Sequence, residues 1–240
     1  ILSSAASDVY KRQLLNVIFW TIIFGSLGVL GSLFERQGKF VGWIVRTWSK
    51  NILFFSGIKF ISIGFEKIDT SSNYFFAANH ESALDIPLVF AAVPLHMVSI
   101  AKVELKKIPF LGWAMQAGGH FFVDRKNHQR SMSLMNFAKK SMKDNPRSVI
   151  IFPEGTRSKD GRIMPFKKGG LLMAINLNVP VVPVGIIGAR SYLKDRFINK
   201  KSNSLKIKFG KPLLTNDLSY EDRDDFALKV RNEVLGLVKN

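Results

Sequence analysis

"AANHESALDIP", residues 77 to 87, marks a change of pattern in the chain. The run before it, "NYFFAA" (73–78), has the aromatic and small residues of a buried strand. The run after it, "LDIPLVF" (84–90), reads as the start of a helix, where Pro87 is tolerated in the first turn. The same stretch sets His80 five positions before Asp85. Within one regular helix two such residues would stand about 140° apart. They can meet only if His80 lies in the turn and Asp85 in the first helical turn, curling back. A polar strand end capped by Asn79 or Ser82 is the plainer reading of this stretch.

Strand-like runs recur on both sides of it: "IKFISIGF" (58–65), "MVSIAK" (97–102), "HFFVDR" (120–125), "SVIIFPEG" (148–155), "VVPVGII" (181–187) and "LKIKFGK" (205–211). Helical stretches alternate with them at Leu84–Ala92, Phe110–Ala117, Gln129–Lys143 and Gly170–Leu177. "YEDRDDFALKVRNEVLGLVK" closes the chain, with Phe226, Val230, Val234 and Leu237 along one helix face. Several strands are apolar on both faces. The pattern predicts an α/β fold, a mixed, largely parallel central sheet flanked by helices. Ligands in such sheets gather at the carboxyl ends of strands.

An apolar front end precedes this domain. "LLNVIFWTIIFGSLGVLGSLF", Leu14 to Phe34, carries no charge over 21 residues. As a helix it is about 30 Å long, enough to cross a hydrocarbon core. Gly25, Gly28, Gly31 and Ser32 form a small-residue strip that lets another helix approach closely. "FVGWIVRTWSKNILFFSGIKF" (40–60) is also apolar but interrupted by Arg46, Lys50 and Lys59, with Trp43 and Trp48 suited to a headgroup interface. One span plus an interfacial helix, or a hairpin dipping into one leaflet, both fit. A signal peptide lacks a clear cleavage site before a polar start. The expected organisation is residues 1–13 disordered or non-native, 14–57 N-terminal membrane-docking helices, and 58–240 one α/β domain.

Lys and Arg number 35 against 18 Asp and Glu, a net charge of +17. That field attracts anionic membrane, nucleic acid or an acidic partner, and does not choose among them. The chain has no cysteine, which excludes disulfides and thiolate zinc sites. "HESAL" begins like a zinc-peptidase motif but lacks its second histidine, so no metal site is expected. Neither a G-x-S-x-G elbow nor a phosphate-binding glycine loop of the P-loop or dinucleotide type occurs.

Four polar features remain, each at a predicted strand end. The first is His80 with Asp85. The second is "FPEGTR" (152–157), where Glu154, Gly155, Thr156 and Arg157 could grip an anionic oxygen or form only a polar turn. The third is "GGHFFVDR" (118–125), ending in Arg125, with Lys102 similarly placed after "MVSIAK". The fourth is "VPVVPVGI" (179–186), whose prolines shape a strand edge. His120 and His128 have no partner at a meaningful spacing, which leaves them core or surface roles.

The order N-H-E-S-A-L-D, G-G-H-F-F-V-D-R, F-P-E-G-T-R and V-P-V-V-P-V-G-I, over Ile58 to Ile187, resembles the glycerolipid acyltransferases, and among them the bacterial 1-acylglycerol-3-phosphate acyltransferases. The resemblance implies acyl transfer from an acyl thioester to the 2-hydroxyl of 1-acyl-sn-glycerol-3-phosphate, making phosphatidic acid. Other acceptors (glycerol-3-phosphate, a lyso-ornithine lipid, another lysophospholipid) stay open within the class. His80 would be the general base and Asp85 its orienting carboxylate, since a hydroxyl needs a positioned base and imidazoles ordinarily titrate near 6.5. No serine nucleophile is required, because the substrate's own hydroxyl attacks. Lys102, Arg125 and Arg157 would hold the acceptor's phosphate, with Glu154, Gly155 and Thr156 shaping that site. The family has a small apolar residue where this chain has His120, and no role is carried onto it. No cofactor is implied; acyl-coenzyme A or acyl-carrier protein serves as co-substrate. The implied location is the cytoplasmic face of the inner membrane, integral or monotopic, with no nucleic-acid partner. A non-catalytic basic membrane- or nucleic-acid-binding protein is the rival from another class, and it predicts basic residues clustered with aromatics on one face.

Overall fold

Phe75 and Phe76 are consecutive in a strand, face opposite sides of the sheet, and are both fully buried. A strand covered on both faces is what an apolar run without alternation requires. The computed structural model describes residues 2–35, 38–124, 128–190, 192 and 205–239, with side chains from Lys11 onward except those of 128–132.

Seven strands form one sheet: β1 (Phe60–Ile63), β2 (Phe75–Ala78), β3 (Met97–Lys102), β4 (Phe121–Val123), β5 (Ser148–Ile151), β6 (Val181–Ile187) and β7 (Leu205–Phe209). Their order is β1-β7-β6-β2-β5-β3-β4. Every neighbouring pair is parallel except β6 with β7. The predicted mixed, largely parallel sheet is therefore present. Strands β6, β2, β5, β3 and β4 all run the same way, so their carboxyl ends share one edge.

One face packs Phe76, Leu88, Ile150 and Ile207 with α2 (Lys39–Phe55) and α3 (Asp85–Ala92). The other packs Phe75, Val149, Leu171 and Val230 with α5 (His128–Asp144), α6 (Lys168–Leu177) and α7 (Arg223–Lys239). Phe226, Val230 and Val234 are buried along α7, as the helical spacing requires.

The first helix, α1, runs from Leu2 to Gly31, so the stretch up to Gln13 that was set aside on composition is helical from Leu2. Propagating a helix into a polar segment costs little once the apolar part has nucleated it. Lys11–Gly31 is long and apolar enough to cross a membrane. Side-chain bonds tie it to α2 and to Ser56 at the end of that helix. Asn16 Nδ2 donates to the Ile52 carbonyl at 3.1 Å and to Ser56 Oγ at 2.9 Å, and Trp48 Nε1 donates to Thr21 Oγ1 at 3.1 Å. Trp48 thus lies between the helices, unlike Trp43, which is half exposed and free to meet a headgroup layer.

The glycine strip of α1 faces the helix α4 (Leu111–Ala117) and α2. A Cβ at Gly25 would stand 3.0 Å from Phe110, and one at Gly28 would stand 3.5 Å from that of Ala114. The opposite face of α1 exposes Leu14, Leu15, Ile18, Phe19, Ile22 and Leu30.

Candidate active site

His80 stands two residues beyond β2, and Asp85 is the first residue of α3. The turn between them curls back as the spacing demanded. His80 Nδ1 lies 2.7 Å from Asp85 Oδ2. The same oxygen accepts the backbone N–H groups of Glu81 at 2.7 Å and Ser82 at 2.8 Å. A carboxylate only accepts, so Nδ1 carries a hydrogen and Nε2 keeps its lone pair in the neutral ring. Asp85 is fully buried, while the His80 side chain retains some exposure. Its ring stacks on Phe152, with centroids 4.3 Å apart.

The main chain of His80 is clamped on both sides by the block that follows β5. Glu154 Oε1 accepts its N–H at 2.7 Å, and its carbonyl accepts the N–H of Ser158 at 2.8 Å. The other oxygen of Glu154 accepts the N–H of Met164 at 2.9 Å. Glu154 is buried with both oxygens occupied, so it is a brace for the loops and offers nothing to a phosphate. Burial also pushes its carboxyl above the usual range. Gly155, next in line, has φ +75°, a conformation that disfavours any side chain.

Asn79 does not cap α3. Its Oδ1 accepts the Ile186 N–H at 2.7 Å and its Nδ2 donates to the Ile186 carbonyl at 2.9 Å, so the side chain extends the β2–β6 pairing by one step. The same Nδ2 lies 3.3 Å from Oε1 of Glu81. Burial, and then the charge of Asp85, push the Glu81 carboxyl up to about 7.

His80 opens into a cavity of about 860 Å³. Apolar side chains of α1, α2, α3 and α4 line its walls: Phe24, Ile44, Ile86, Ala114 and Met115 among them. Lys102, Thr156, Arg157 and Lys159 also line it; Lys102 ends β3, Thr156 and Arg157 lie in the turn that follows β5, and all three are exposed. Lys102, Arg157 and Lys159 form no ion pair among the described residues. Arg125 lies outside the described residues.

Three contributors escaped the sequence reading. Phe152 and Glu81 are both within the quoted blocks, but neither carried a spacing signal. His120 was left without a partner, and it has one: Ser99 donates to its Nδ1 from the backbone N–H at 3.1 Å, with Ser99 Oγ 2.8 Å away. Strand pairing of β3 with β4 brings the two together, which no local pattern reveals.

A buried carboxylate and an imidazole thus meet beyond the end of β2, beside a largely apolar cavity. Residues 59–187 match the family model for acyltransferases. The chain belongs to that family. Among its relatives is the 1-acyl-sn-glycerol-3-phosphate acyltransferase of Saccharomyces cerevisiae, 33% identical over 168 residues, which are 69% of this chain and 55% of the yeast protein. The enzyme of the same name from Limnanthes douglasii is 27% identical over 219 residues, 91% of this chain and 76% of that relative. The chain thus spans about half the length of the yeast acyltransferase. The crystal structure of the 1-acyl-sn-glycerophosphate (LPA) acyltransferase PlsC from Thermotoga maritima superposes with a TM-score of 0.77 at 25% identity, covering 99% of this chain and 98% of that one. The likeness to this acyltransferase includes both N-terminal helices.

Proposed function

We propose that the chain transfers a fatty acyl group from an acyl thioester to the 2-hydroxyl of 1-acyl-sn-glycerol-3-phosphate, yielding phosphatidic acid. The observation that carries this reading is the His80–Asp85 pair, 2.7 Å apart, at the polar mouth of an apolar cavity rimmed by cations.

The acceptor's hydroxyl approaches Nε2 of His80. Its oxygen attacks the thioester carbonyl carbon as its proton passes to Nε2, and Asp85 stabilises the imidazolium through Nδ1–H. The tetrahedral oxyanion collapses, the carbon–sulfur bond breaks, and the departing thiolate takes the proton back from Nε2. An ester and a free thiol result. The imidazole is neutral again without any acyl-enzyme having formed.

Arg157 and Lys102 hold the acceptor's phosphate at the rim, Arg157 through its planar fork. Arg125 belongs to the same set by its place in the motif. Glu154 acts through the backbone of His80 as a positioning residue, and Gly155 with Thr156 shape the turn. Residues 14–57 dock the enzyme on the membrane, and the exposed apolar face of α1 supports this. Residues 58–240 form the catalytic domain, working at the cytoplasmic face of the inner membrane. The donor carries coenzyme A or acyl-carrier protein.

A mass-spectrometric assay with 1-acylglycerol-3-phosphate and each thioester donor in turn tests the reading. Phosphatidic acid and free thiol in equal amounts are expected. Acylation of glycerol-3-phosphate or of a lyso-ornithine lipid, with no phosphatidic acid formed, overturns the acceptor.

A further inference from the structure

Ile108 and Trp113 are large and apolar, yet they are 43% and 51% exposed. They flank the corner between the 3-10 turn Val103–Lys107 and α4. That corner is tightly built. The N–H groups of Leu111 and Gly112 donate to the carbonyls of Pro109 at 2.6 Å and Ile108 at 2.7 Å. A Cβ at Gly112 would run into the carbonyl oxygens of Leu105 and Lys106, so the close approach needs glycine. Phe110 takes φ +60°, which a bulky residue rarely does. Ile108 and Trp113 are thus held in solvent by a fixed backbone, and a held apolar patch marks a contact surface.

The patch continues onto α1. The rings of Phe110 and Trp113 lie 5.2 Å apart, and Phe110 rests on Gly25, where a Cβ would stand 3.0 Å from its own. Ile22 and Ile18 precede Gly25 by three and seven residues on the same helix face, and both are exposed. The uncovered stripe of α1 therefore runs up to Phe110 and on to Trp113.

The charges beside it are mostly of one sign. Between Met97 and Val123 stand Lys102, Lys106 and Lys107 against Glu104 alone. Lys106 and Lys107 are exposed and form no ion pair among the described residues; the Lys106 ammonium lies over the Phe122 ring at 4.9 Å. Tryptophan and lysine at the border of an apolar surface suit a headgroup layer, and the lysines suit anionic lipid. An acidic protein would match the cations but leave Ile108, Trp113 and the α1 stripe without a counterpart.

We propose that the catalytic domain carries its own membrane-contact element, Lys106–Trp113, which seats on an anionic lipid surface beside α1. The other side of this corner belongs to the cavity, which Leu105, Leu111, Ala114 and Met115 line. An acceptor leaving the bilayer here meets the cavity wall directly. The proposal rests on the reading of residues 14–57 as membrane-docking helices. It adds a second point of contact, which fixes the rotation of the catalytic domain about α1.

The chain has no cysteine, so a nitroxide on one introduced cysteine reports one position. The whole chain is labelled in turn at Ile18→Cys, Ile108→Cys, Trp113→Cys and Leu228→Cys, the last exposed on α7. Electron paramagnetic resonance compares collisions with oxygen and with a water-soluble nickel chelate, before and after binding to phosphatidylcholine vesicles containing phosphatidylglycerol. The oxygen-to-nickel ratio should rise severalfold at 18, 108 and 113 and keep its aqueous value at 228. Adding Lys106→Gln and Lys107→Gln to the chain labelled at 108 should reduce the rise there. Trp113→Ser should raise the KM of a long-chain acceptor presented in vesicles severalfold and leave that of a water-soluble short-chain acceptor unchanged. A rise at 18 with aqueous values at 108 and 113 overturns the proposal while docking by α1 stands. Aqueous values at all four positions overturn both. A label at 108 immobilised by acyl-carrier protein but not shielded by vesicles gives the patch to a protein and also overturns the proposal.

Discussion

The backbone N–H of His80 is held by Oε1 of Glu154 at 2.7 Å across 74 residues of chain. The imidazole is therefore positioned by two carboxylates. Asp85 orients its ring, and Glu154 anchors its main chain together with that of Met164. Replacing Glu154 by Ala leaves two N–H groups without their acceptor, at about 1–3 kcal/mol for each that stays buried. The expected result is a lowered Tm in a thermal melt, with kcat down by tenfold or more and the acceptor KM little changed. Should kcat stay intact while KM rises, Glu154 contacts substrate and is no brace.

His80→Ala should reduce kcat by about 10²–10⁴-fold without loss of fold. Asp85→Asn removes the charge that stabilises the imidazolium and provides a poorer acceptor for three converging donors. It should also lower kcat by about that factor. Circular dichroism and steady-state kinetics together check both. Retention of more than a few per cent of activity by His80→Ala ends its assignment as base.

For Arg157→Ala, the acceptor KM should rise by about tenfold when the acceptor carries a phosphate, since a bidentate charged contact is lost. A monoacylglycerol, lacking the phosphate, should show no such penalty between the two enzymes. Lys102→Ala should act in the same direction but more weakly, as a point charge on a flexible stem. Identical penalties for both acceptors would remove the phosphate from this rim.

Glu81 supplies a pH signature. Its carboxyl is raised in the folded protein to about 7 from an ordinary value of 4.5. Between those values the folded state binds more protons than the unfolded one, so stability falls as pH rises through this window. Above about pH 7 the cost of the buried charge is fully present. Glu81→Gln should remove it. The Tm gap in favour of the variant should open between pH 4.5 and 7 and then level off. A gap that is flat over this range contradicts the raised carboxyl.

The meeting of His80 with Asp85 could be read locally, because a strand, a turn and a helix start are all encoded within eleven residues. Lys102 at the end of β3, and Thr156 and Arg157 in the turn after β5, were legible for the same reason: an apolar run stopped and polar residues followed. The contact of Trp48 with a neighbouring helix was not legible, because its amphipathic composition says nothing of that helix. Thr21 of α1 supplies the partner for its N–H. Glu154 looked like a phosphate-site residue next to Arg157, and only the approach of Met164 and His80 shows its oxygens to be occupied.

Periodicity, turn chemistry and motif order are properties of neighbours along the chain, so they were enough to establish the alternating elements, the apolar front end and the His80–Asp85 junction. The strand order is different in kind. It brings β5 beside β2, which sets Glu154 under His80, and β4 beside β3, which sets Ser99 against His120. That order follows from the summed burial of many side chains on two faces of one sheet, a quantity spread over the whole domain and present in no single stretch of it.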